Sequence, residues 1–447
     1  MRHKRLVFGA AAAALTALAV LLGGVFRPSS SSATPNAAAA LPASAEALSA
    51  QFSTGFSAPT AHTTQGIVAD LQAVLRRNPD NVGYLDALGL AYQQRARETG
   101  DPTYYTKSQE VLDHALQLVP NDLTATSGLG SLALSRHRFT EALVLGRKAH
   151  ALSPTTVRNY GVIGDALIEL GRYHAAFATY DAMSTTQPSL SSYSRVAHAL
   201  DLLGRTKLAI SDMKLAVDAS LGQGEAEAWA HVQLGKIYWE IGAIGATGAQ
   251  DRAALRAFPG YPLALDALAR VQAAQGRMQA AIATENDAVN RIPLPQYVSF
   301  LGDLYRTTGR ESLARKQYGL VKVIEKLLVA NGVRTDLETA LFDADHRIRP
   351  AATVALARKA FAERPSIDGD DVLAWALARD GRCAEALPHA NQALRLGTRD
   401  SLKIFHRGMI ERCLGRRAAA RRDLGRALAL NPHFSLLWAP VARKALR

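Results

Sequence analysis

Apolar and small residues recur along this chain at helical spacing, in blocks that come in pairs. The clearest pair of blocks runs from Val157 to Pro188. Tyr160, Ile163, Gly164 and Leu167 lie three or four residues apart, as on one face of a helix. A turn follows at Gly171-Arg172-Tyr173, then a second helical face at Ala176, Tyr180 and Met183. Gly171 suits the left-handed residue that ends a helix, and Pro188 stands where the second helix must stop. The pattern predicts a helix–turn–helix hairpin. Gly-Arg pairs mark the same turn six times, at Gly171-Arg172, Gly204-Arg205, Gly276-Arg277, Gly309-Arg310, Gly381-Arg382 and Gly415-Arg416. Neighbouring pairs are separated by 33 or 34 residues, or by 72. No run of alternating Val, Ile and Thr reads as a strand.

A helical hairpin with a period near 34 resembles the tetratricopeptide repeat (TPR). The marks are Gly164, Ala176 and Pro188, at the family's positions 8, 20 and 32. The same offsets return at Gly130/Ala142/Pro154, Ala269/Ala281/Pro293 and Gly408/Ala420/Pro432. Looser units begin near Leu88-Gly89, Tyr193, Leu234-Gly235, Leu301-Gly302, Asp336 and Val372. The second half of the Leu234 unit, Gly242–Phe258, reads as irregular because Gly242, Gly245 and Gly248 interrupt it. The resemblance implies an all-α, right-handed superhelical solenoid of about ten units between Val82 and Pro432. It sets a repeat domain at 65–432 that includes an N-terminal capping helix. Residues 433–447 form a C-terminal capping helix.

The N-terminus is a different kind of segment. Arg2-His3-Lys4-Arg5 precedes an uncharged, mostly apolar run from Leu6 to Phe26. Its 21 residues would span about 31 Å as a helix, close to the hydrocarbon thickness of a bilayer. Positive charge before the run predicts an N-terminus inside and repeats outside. Ser31-Ser32-Ala33 and Ala43-Ser44-Ala45 both fit small-x-Ala cleavage sites, so residues 1–33 read as a signal peptide or an uncleaved signal anchor. Residues 34–64, rich in Ser, Ala and Pro, read as a disordered linker. The expected location is therefore extracytoplasmic, secreted or anchored in the cytoplasmic membrane.

Net charge is +13 over 447 residues and is unevenly spread. Residues 1–45 carry +4, residues 399–447 carry +9, and the remainder is neutral. Arg416, Arg417, Arg421, Arg422 and Arg426 form the densest cluster, a candidate contact for an anionic lipid or wall polymer. An exported protein gives no reason to expect nucleic acid.

Motifs that carry catalysis are missing. There is no phosphate-binding glycine loop, HExxH, CxxC or GxSxG. Gly128-Leu129-Gly130-Ser131-Leu132-Ala133 imitates a dinucleotide loop, but Gly130 is the repeat's own position 8. Ser211-Asp212-Met213-Lys214 imitates SxxK without its partner motifs, and Met213 is a repeat core position. Asp343, Asp345 and His346 lie close together, but on a helix only Asp343 and His346 share a face, at i and i+3, with no third ligand evident, so a solvated helix surface is the better reading. No cofactor or metal is expected, and the chain reads as a non-catalytic interaction scaffold.

The TPR resemblance implies that positions 2, 5, 9, 12 and 13 line a peptide-binding groove. They nominate Trp229, Lys236 and Trp239, then Phe342, Trp375 and Arg379, then Phe405, Met409 and Arg412. Aromatic residues with Arg are what binding hot spots favour. The partner expected is a protein or peptide segment. The only two cysteines, Cys383 and Cys413, fall at the same end of adjacent hairpins and are expected to form a disulfide.

Overall fold

The computed structural model describes residues 63–447. Among them the chain forms 22 α-helices and no strand. The expected signal segment and nearly all of the linker lie outside the described residues. No described helix is long and apolar enough to cross a membrane.

Helix α1 (Thr64–Leu75) opens the array, its first turn capped by the Thr63 hydroxyl accepting from the Gly66 amide. Ten hairpins follow. The first five are α2/α3 (Val82–Thr99, Thr103–Leu118), α4/α5 (Leu123–Ser135, Phe139–Leu152), α6/α7 (Val157–Glu169, Tyr173–Thr186), α8/α9 (Leu190–Leu202, Thr206–Asp218) and α10/α11 (Glu225–Glu240, Ile244–Ala257). The second five are α12/α13 (Pro262–Ala274, Met278–Arg291), α14/α15 (Pro295–Thr307, Glu311–Ala330), α16/α17 (Asp336–Asp345, Pro350–Glu363), α18/α19 (Ile367–Arg379, Cys383–Ala393) and α20/α21 (Ser401–Cys413, Arg417–Leu430). Helix α22 (Trp438–Leu446) ends the chain.

Close approach explains the small residues. A Cβ added to Gly164 of α6 would lie 2.3 Å from the ring of Tyr180 of α7. The phenol then runs past the glycine and donates to Asp165 Oδ1 at 2.9 Å. The seventh hairpin repeats the device with Gly302, Tyr318 and Asp303, at 2.8 Å. The stretch Gly242–Phe258 departs from the expectation. Only Gly242 ends a helix, with φ +70, and α11 runs unbroken through Gly245 and Gly248. Packing against the neighbouring helices outweighs two weak helix formers. Cys383 and Cys413 are disulfide-bonded, with Cα atoms 6.2 Å apart.

The array winds back on itself. The Arg138 guanidinium donates to Gly332 O at 3.0 Å. Arg364 pairs with Glu169, and Tyr173 OH accepts from the Ile367 amide at 2.7 Å. Asn431 Nδ2 donates to Trp239 O at 2.7 Å. These contacts join residues 192 to 195 apart in sequence. They follow one rule: the turn inside hairpin n meets the loop leading into hairpin n + 6, and the turn of the fifth hairpin meets the loop leading into α22. Two turn glycines serve both purposes. Gly171 and Gly204 have φ of +67, and a Cβ there would lie within 2.3 and 2.4 Å of Pro365 O and Gly397 O. The coils touch, so the concave side of the superhelix forms a lumen between them.

Candidate functional site

A cavity of about 580 Å³ in the lumen is lined from both coils. From the first coil, α2 contributes Arg97, α6 Asp165, α8 Arg195, His198 and Asp201, and α10 Trp229, Lys236 and Glu240. From the second, α18 contributes Asp368 and α20 Lys403, with Asp400 at the N-cap of α20. Arg97, His198 and Lys236 have accessible surface, but the water they reach is that of the lumen. Burial lowers the pKa of Arg97 and of His198.

Two ion-pair groups organise this wall. Arg195 holds Asp165 through both nitrogens, at 2.8 and 2.7 Å. Burial works against the guanidinium, but the carboxylate prevails and keeps the Arg195 pKa above its ordinary value. Lys403 sits between Asp368 at 2.8 Å and Asp400 at 2.5 Å. The ammonium holds Asp368 down at about 2. Burial would raise Asp400, yet Lys403 keeps it below the usual carboxylate range.

A third group is less compensated. Glu240 is pushed well above its ordinary pKa, first by burial and then by the negative charge of Asp201, to which it is hydrogen-bonded. The positive charge of Lys236 opposes that rise. His198, on the same wall, is lowered by burial and by Lys236. Deeper on the concave side, Arg158 donates to Ser131 Oγ at 3.0 Å and is pushed down to about 10 by burial and by Arg97.

Ser191, Ser194, His198, Asp201 and Leu202 all line the cavity, at positions 2, 5, 9, 12 and 13 of the fourth hairpin. The repeat register and the inner face coincide. The fold is a tetratricopeptide-repeat solenoid. No family model matches the chain, and no curated protein does. Solved structures that resemble it include a human IFIT1 dimer with PPP-AAAA. It is 14% identical, covers 74% of this chain and 77% of that one, and has a TM-score of 0.48. The APC/C hetero-tetramer Cut9-Hcn1 is 13% identical, covers 86% and 93%, and scores 0.37. YrrB, a TPR protein with an unusual peptide-binding site, is 18% identical, covers 41% and 92%, and scores 0.28.

The expected groove residues divide. Trp229 and Lys236 line the TPR lumen. Trp239 faces a second, smaller cavity with Arg270, Phe300 and the C-terminal segment from Pro432. Phe342, Trp375 and Phe405 do not face a groove; they are core, at 7%, 2% and 0% exposure. The reason is the chain's own C-terminus. Trp438 of α22 packs edge-on against Trp375 and stacks on Phe405, with centroids 5.2 and 5.8 Å away. Asp345 accepts from both indole N–H groups at 2.9 Å. The concave face of the last hairpins is thus already filled. Phe342 is buried instead against Val298, Val321 and Tyr318. Arg379 lies over the Trp375 and Trp438 rings and donates to Ala344 O, Met409 packs against this core, and Arg412 is exposed near the end of α20.

The other candidates are structural. Asp343 accepts from Lys322 at 2.5 Å, and His346 pairs with Asp303 at 2.9 Å. No group of three or more His, Cys, Asp or Glu is placed to hold a metal among the described residues. Gly128–Ala133 lies inside α4 and Ser211–Lys214 inside α9. Of the lumen's charged residues only Lys236 carries a sequence nomination, because no aromatic residue marks the other positions. Applying the five inner positions to the fourth hairpin finds His198 and Asp201.

Proposed function

We propose that this chain is a non-catalytic binding scaffold that holds an extended protein segment in its TPR lumen, on the outer side of the cytoplasmic membrane. The observation that supports it is the lumen wall itself. Arg195 and Lys403 are neutralised by fixed carboxylates, whereas at the Asp201–Glu240 pair burial and the Asp201 charge favour neutral Glu240, a cost that an incoming cation relieves. A Lys or Arg side chain of the ligand meets that pair, with Trp229 offering an apolar surface in the same cavity. Affinity then rises with pH. A photo-crosslinking residue at position 229 should capture a protein segment from an envelope fraction, and Glu240→Gln should weaken capture. Equal yield from the same residue at outward-facing Val144 would overturn the reading. A reporter fused after Arg447 tests the location separately: it should be active outside the cytoplasm.

A second reading rests on α21, where Arg417, Arg421 and Arg422 are exposed beside Arg416. Anionic vesicles or wall polymer would bind there with an affinity that falls steeply with salt. Salt-independent binding would remove this reading.

A further inference from the structure

Helix α15 differs from every other helix of the array. It has 20 residues, against 13 for its hairpin partner α14, and is the longest described helix. It also carries two apolar faces. One is buried, with Ala314 and Val321 against the hairpin and Tyr318, Lys322 and Glu325 bonded to Asp303, Asp343 and Thr339. The other is open. Leu313, Leu320 and Leu327 follow each other at intervals of seven and are 41%, 37% and 53% exposed, with Val323 between them at 53%. Large side chains exposed in a continuous row mark an interaction site. Spacing by seven, with Val323 three residues after Leu320, is the seam that one helix offers to another, and Lys316 takes the corresponding place after Leu313.

The charges beside the seam choose the occupant. Arg315, Lys316 and Lys326 are exposed on this helix, and the only exposed acid is Glu311 in its first turn. We infer that the Leu313–Leu320–Leu327 face is a docking surface for an acidic amphipathic helix of a partner protein. A second copy of this chain would bring the same basic flank against itself. A membrane surface would also suit leucines with basic residues, but the seven-residue spacing is one that a partner helix matches and a bilayer does not require. The inference is independent of the lumen reading, since the seam and the lumen share no residue.

The test uses the full-length protein and two synthetic helices of four heptads. Both have Leu at a and d; one has Glu at e and g, the other Lys. Fluorescence anisotropy should show the Glu peptide binding more tightly, with affinity falling as salt rises. Leu320→Glu with Leu327→Glu should weaken it by about tenfold or more, as for loss of interface anchors. Both positions are exposed, and an unchanged melting curve verifies the fold. Lys316→Glu with Lys326→Glu should transfer the preference to the Lys peptide. Several results would overturn the inference: no preference for the Glu peptide, indifference to the leucine changes, dimerisation abolished by those changes, or binding to phosphatidylglycerol vesicles abolished by them.

Discussion

Replacing Asp251 by Asn should flatten the pH dependence of stability. Asp251 is fully buried in α11, and neither carboxyl oxygen has a hydrogen-bond partner. It occupies the register slot that Tyr180 and Tyr318 fill in their hairpins, opposite the position-8 residue, here Gly235. The tyrosines are long enough to reach an aspartate on the inner face, and Asp251 is not. Burial, and then the charge of Asp266, push its pKa from 3.8 to about 8. A carboxyl raised on folding gives its full stability below the unfolded value. That stability is lost as pH rises through the folded value, so the window is roughly pH 4 to 8. At about 1.4 kcal/mol per pKa unit the loss is on the order of 5 kcal/mol. Burial raises Glu285 and Asp86 with the same sign. Urea denaturation followed by circular dichroism from pH 5 to 9 measures it. The parent should weaken as pH rises, and Asp251→Asn should weaken by a few kcal/mol less. A constant offset from burying the amide leaves that slope intact. Parallel curves for parent and variant would refute the argument.

Three further outcomes test the packing. Gly164→Ala should destabilise by about 1–3 kcal/mol through overlap with Tyr180, and restoring room with Tyr180→Leu should recover part of it in a double-mutant cycle. Reducing the Cys383–Cys413 bond, or replacing both cysteines by serine, closes no loop across 30 residues and should cost about 3–4 kcal/mol in chemical denaturation. Trp375→Ala should cost about 3–5 kcal/mol, as for a core aromatic, and near-parent stability would return it to the groove.

Much of the architecture was legible because each hairpin repeats the same close contacts. Gly164, Ala176 and Pro188 announce a helix pair without any knowledge of its neighbours. What was not legible depends on contacts made outside the hairpin itself. Trp375 and Phe405 sit at inner-face positions, and only the return of α22 converts them into core. Nor does local pattern show that α11 tolerates Gly245 and Gly248, because the stabilising contacts come from adjoining hairpins. The lumen wall follows the register closely, but its members are charged and therefore resemble ordinary surface until the coils close around them.

The contact between each turn and the loop six hairpins on has a consequence for how such a chain can change over evolutionary time. An open array of repeats can duplicate or lose a unit and keep its neighbours matched. Here, inserting one hairpin between Trp239 and Arg364 would bring Glu169 opposite the wrong loop and separate it from its guanidinium. The same slip would move Trp239 away from Asn431. Copy number between the two coils is therefore locked, and variation is free only beyond the last matched pair.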